Sequence, residues 1–76
     1  MSETARRSIL LIEDDHDLVE LITLHLRGEG YDVTAVHDGH RGVEAIAAAD
    51  WSAVVLDWML PGMSGLDVLR EIRAGD

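Results

Sequence analysis

Residues 53–66 read AVVLDWMLPGMSGL. Four apolar residues, Ala53 to Leu56, run into one carboxylate, Asp57, and the chain then meets Pro61, Gly62 and Gly65. A short apolar run closed by turn residues predicts a strand buried on both faces, as in parallel sheets. Asp57 then stands where that strand ends, at the carboxyl edge, where open α/β sheets place their ligand sites. Residues 9–15, ILLIEDD, have the same form: an apolar run ending in three consecutive acids. Two buried strands that bring carboxylates to one edge need a cation between them, because like charges at close range disfavour each other's ionised form.

The remaining segments supply the scaffold. Ser8 to Ile12 form the first strand. Residues 16–28 place Leu18, Leu21, Ile22 and Leu26 at helical spacing, with Val19 widening the stripe. Asp15 or its neighbours can cap that helix and acids there suit its dipole, so a structural role is the preferred reading for Asp15 and Asp17. Gly28 and Gly30 end it. Residues 31–36 alternate as a second strand, and Asp38-Gly39 turns the chain. Residues 41–49 form an alanine-rich helix with Val43 and Ile46 toward the core. Trp51 packs at the entry of the third strand. After the Pro-Gly-Met-Ser-Gly loop, Ser64 caps a third helix with Asp67 three residues on, and Leu66, Leu69 and Ile72 share a face. The order β-α-β-α-β-α over residues 1–76 predicts one domain, or part of one, with a parallel sheet and right-handed crossovers.

Bulk properties exclude several classes. A net charge of −9 with six arginines and no lysine argues against a nucleic-acid groove or an anionic membrane surface as partner. No cysteine is present, so disulfides and thiolate metal sites are out. A polar amino terminus and the lack of a long apolar run predict a cytoplasmic chain without a signal peptide or membrane span. At 76 residues the core is small and contributes only about 3–5 kcal/mol.

If the first and third strands are neighbours, Glu13, Asp14 and Asp57 meet. Mg²⁺ suits such a site, being a hard ion satisfied by one or two carboxylates, a backbone carbonyl and waters. Its charge would leave Asp57 free to attack a phosphoryl group, an established form of covalent catalysis. An acid directly after a buried apolar run has little structural reason to be there, which favours this role for Asp57.

Three segments, ILLIEDDHDL, GYDVTAVHDG and VVLDWMLPGMSGLDVLREIR, resemble the receiver domain of two-component response regulators, over residues 8–73. The resemblance implies a flavodoxin-like fold of strand order 2-1-3-4-5, reduced here to three strands in order 2-1-3 and three helices. It implies a signalling module rather than an enzyme, whose phosphoryl group comes from a sensor histidine kinase with Mg²⁺ bound. Asp57 matches the phosphoacceptor, Asp14 the directly ligating acid, and Glu13 the acid that holds the metal through water. Met59 matches the residue whose backbone carbonyl completes the metal shell. The LPGMSGLDVLR segment is typical of regulators with DNA-binding output.

Receivers run to roughly 120 residues, in the usual domain range, and carry a Ser/Thr and a Lys on later strands. On a chain of this length the third strand becomes an exposed apolar edge. Such an edge predicts a homodimer, by edge pairing or element exchange, or a complementary fragment.

Rival signals are weaker. His37 and His40 flank a turn at a spacing open to two metal ligands, although turn histidines are usually just solvated, and His16 follows the acids closely enough to modulate their charge. Asp14 is followed by neither the glycine nor the glutamate of an EF-hand. Neither GxGxxG nor a P-loop is present. A small Mg²⁺-dependent hydrolase is a third reading of the same carboxylates. Trp58, beside Asp57, would partly cover the pocket.

Overall fold

The computed structural model describes residues 7–57 together with residues 67 and 70. Five elements follow in order: β1 (Ser8–Ile12), α1 (His16–Gly28), β2 (Asp32–Val36), α2 (Gly39–Ala48) and β3 (Ala53–Leu56). The sheet is parallel with strand order β2-β1-β3, as the sequence predicts. Residues 67 and 70 are helical, in agreement with a third helix; Ser64, Leu66, Leu69 and Ile72 lie outside the described residues.

β1 is the centre of the sheet. Leu10 and Ile12 are fully buried, Leu11 nearly so, and Ile9 is buried. Side chains alternate across a strand. Leu10 and Ile12 accordingly pack on one face with Val36, Val43, Ala45, Ile46, Trp51 and Leu56. Ile9 and Leu11 turn to the other face with Val33, where α1 packs across β2. Trp51 fills the strand entry and its indole N–H donates to the Ala45 carbonyl at 2.9 Å.

Helix ends account for the differences in boundaries. Asp38 accepts from the Arg41 N–H at 2.8 Å, so its cap starts α2 at Gly39, two residues before the predicted start. After α1, Gly30 takes φ +95° and donates to the Arg27 carbonyl, while the Tyr31 N–H reaches the Leu26 carbonyl. These two bonds form a Schellman cap that draws Tyr31 into the helix end, and β2 begins one residue later. Along α1 the partly buried positions are Val19, Ile22, Thr23 and Leu26, whereas Leu18 is 39% and Leu21 53% exposed. The predicted stripe is therefore rotated toward β2.

β3 departs from expectation more sharply. Its residues are exposed or half-buried, with Val54 and Val55 each 40% exposed, because β3 pairs only with β1 among the described residues. An apolar run reads alike at the centre and at the edge of a sheet. Among the described strands, burial on both faces belongs to β1 alone.

Gly42 marks where α2 approaches the sheet closely. A Cβ there would lie 2.7 Å from Ile12 Cδ1 and 3.1 Å from Cγ2, and Ile12 is fully buried. Gly42→Ala is expected to lower stability by about 1–3 kcal/mol despite its better helix propensity. Gly28→Ala, with nothing within 4 Å, should leave stability unchanged or raise it. Urea unfolding of both variants checks this, and equal effects at the two positions would refute the close approach.

Candidate functional site

The last rungs of the two ladders set the site. The Glu13 N–H donates to the Val36 carbonyl at 3.0 Å, and the Asp57 N–H donates to the Ile12 carbonyl at 2.9 Å. Both acids are thus held by backbone bonds just past the carboxyl ends of β1 and β3. One carboxylate oxygen from each of Glu13, Asp14 and Asp57 lies within 4.8 Å of the other two. The three residues brought together are those the sequence nominated. Met59 and Trp58 lie outside the described residues.

The three acids differ in environment. Glu13 is buried, 7% exposed, and its Oε2 accepts from the Asp15 N–H at 3.1 Å. Burial is the main reason its carboxyl is pushed above the ordinary carboxylate range. The Asp15 N–H opposes that rise, while the charge of Asp57 and the hydrogen bond and charge of Asp14 add to it. Asp14 is exposed and Asp57 half-buried. Asp15 is occupied otherwise: its Oδ1 accepts from the Asp17 and Leu18 N–H groups at 3.0 and 3.2 Å, capping α1.

Such a donor set fits a hard divalent ion. Around an octahedral Mg²⁺ at about 2.0–2.1 Å, ligand oxygens sit roughly 3–4 Å apart. Three oxygens already close to that spacing need little movement, and a cation there would relieve the raised carboxyl of Glu13. Among the described residues no histidine joins this cluster. In particular, His37 and His40 are not gathered with a further ligand.

One feature escapes the sequence reading. His37 stacks on His16, with ring centroids 4.3 Å apart and planes 21° from parallel. Its Nδ1 lies 3.1 Å from the Glu13 carbonyl, and since a carbonyl only accepts, Nδ1 carries the hydrogen. The available signal was positional: His37 follows β2 as Glu13 follows β1, so both stand at one sheet edge.

Known proteins agree with this geometry. A family model for the response regulator receiver domain matches residues 9–76. The DNA-binding response regulator MtrA of Mycolicibacterium smegmatis is 44% identical over 72 residues, which is 95% of this chain and 32% of that protein. The receiver domain of the sensor histidine kinase PA1611 from Pseudomonas aeruginosa, solved with a magnesium ion in its active-site cleft, superposes with TM-score 0.89 at 38% identity. That match covers 92% of this chain and 57% of the other. The response regulator TrrA, solved with the histidine kinase ThkA, superposes with TM-score 0.85 at 31% identity, covering 92% of this chain and 60% of that one. The chain thus spans about a third of the curated relative and somewhat over half of these solved receivers.

The raised carboxyl of Glu13 has a signed consequence. An acid whose pKa is higher folded than unfolded loses stability as pH rises from 4.5 through the folded value, and keeps that penalty above it. Without metal, Glu13→Gln should therefore melt higher than the parent at pH 7, and the gap should close as pH falls to 4.5. Adding Mg²⁺ should raise the melting temperature of the parent more than that of the variant. Melting curves across pH, with and without Mg²⁺, provide the check; a gap independent of pH contradicts it.

Proposed function

As the chain belongs to the response regulator receiver domain family, we propose that it is the phosphoacceptor module of a cytoplasmic two-component system, with Asp57 receiving a phosphoryl group from a sensor histidine kinase. The observation that carries this reading is the convergence of Asp57 with Glu13 and Asp14 at the sheet edge. Asp57 is the acid of the three best suited to attack. Its backbone is anchored to β1 while its side chain is only half-buried, whereas Glu13 is enclosed. An Asp57 oxygen forms the new bond to phosphorus as the bond from phosphorus to the donor imidazole nitrogen breaks, and the donor, already protonated on its other ring nitrogen, leaves as neutral histidine. Glu13 and Asp14 are assigned to Mg²⁺, with the Met59 carbonyl as a further ligand. The bound ion would supply positive charge against the phosphoryl oxygens. The kinase complex of TrrA supports a histidine kinase as donor here too.

A second reading has its own observation. β3 offers Val54 and Val55 at an edge with no further strand among the described residues. Pairing of that edge with a second copy, or with a complementary fragment, would cover it.

Acetyl phosphate with Mg²⁺ separates the two. The intact chain should gain the mass of one phosphoryl group, and Asp57→Asn should gain none. An adduct that survives Asp57→Asn, or no adduct on the parent, overturns the first reading. For the second, sedimentation at micromolar concentration should show a dimer that Val54→Lys weakens at least tenfold, a loss of about 1.4 kcal/mol; a concentration-independent monomer counts against it.

A further inference from the structure

Among the described strands β2 and β3 are the outer two, and they are not alike. At β2 the Asp32 N–H donates to the Arg7 carbonyl and the Val36 carbonyl accepts from the Glu13 N–H, both at 3.0 Å. In a parallel ladder alternate residues address the same neighbour. Asp32, Thr34 and Val36 thus turn their peptide groups to β1, while Val33 and Ala35 turn theirs outward. The outward carbonyl of Val33 is already taken: Arg27 Nη2, from the last turn of α1, donates to it at 3.3 Å.

We propose that Arg27 guards the outer edge of β2 against pairing with a strand from a second copy of this chain. An incoming strand would need the Val33 carbonyl for its own N–H. It would have to pull the guanidinium off that oxygen and push its charge aside. Arg27 also lines, with Val33, Ala35 and His37, the cavity of about 540 Å³ that the alternate side chains of an added strand would enter. Inserted charge is a recognised defence of edge strands, most often from lysine. This chain has no lysine, and Arg27 reaches β2 from the neighbouring helix instead. β3 itself, Ala53-Val54-Val55-Leu56, carries no charged side chain, and among the described residues no side chain is seen to donate to its carbonyls. Closing the β2 edge removes one of the two surfaces that head-to-tail growth of strands would need.

Sedimentation velocity on the full chain tests this, comparing each variant with the parent at equal concentration, whatever oligomer the parent forms through β3. Arg27→Ala should strengthen self-association by roughly tenfold, the worth of one hydrogen bond from a charged donor. Arg27→Lys should return it most of the way. Adding Ala35→Pro to Arg27→Ala should abolish the gain, because proline removes the outward N–H without touching the bonds to β1. Circular dichroism verifies folding; if loss of the side-chain stem unfolds α1, Arg27→Met keeps the stem and reads the same way. Unchanged sedimentation of the folded Arg27 variant overturns the proposal, as does a gain that Ala35→Pro leaves in place.

Discussion

Everything in this small sheet depends on β1 being hydrogen-bonded on both sides at once. It is the one described strand with two neighbours, and its four apolar residues are the most deeply buried of the described hydrophobic residues. The register that buries them also fixes where the chain leaves the sheet. The rung that ends the β1–β2 ladder holds Glu13, and the rung that ends the β1–β3 ladder holds Asp57. Hydrophobic burial and the gathering of negative charge are therefore two results of one alignment. A slip of a single residue would turn Leu10 and Ile12 to the wrong face and separate the acids.

The elements legible in the sequence were those whose signal is local. β1, α1 and β3 have the predicted bounds, because each is an apolar run or a helical period closed by a cap, a glycine or an acid. The acid trio was legible for the same reason, as Glu13 and Asp57 directly follow apolar runs and Asp14 comes next after Glu13. What was not legible depends on neighbours. Leu18 and Leu21 fit a helical stripe as well as Ile22 and Leu26 do, and only the seating of α1 over β2 leaves them exposed. The stacking of His16 on His37 and the reach of Arg27 to Val33 join elements whose relative placement no periodicity encodes.

The chemistry of the acidic edge follows from unequal burial. Three carboxylates in similar water would share their repulsion evenly. Here Glu13 is the enclosed member, and its burial, ahead of the neighbouring charges of Asp57 and Asp14, raises its carboxyl. Asp14 stays solvated, and Asp15 leaves the cluster to cap α1. The arrangement leaves Asp14 exposed and Asp57 half-buried beside the enclosed charge of Glu13. Such a site favours divalent cations and resists anions until the cation arrives.

The contrast between the two edges sharpens when net charge is considered. At −9 the chain repels its own copies at long range, a force that salt screens beyond about 10 Å and that cannot discriminate one edge from the other. Discrimination has to come from short-range contacts. Arg27 is one of only six basic residues, and it is spent on a backbone carbonyl instead of a carboxylate. An exposed ion pair would contribute little in water. Set on the peptide edge of β2, the same guanidinium satisfies an acceptor and excludes a competing strand. A scarce positive charge thus has more effect on which edges stay open than on the stability of the folded chain.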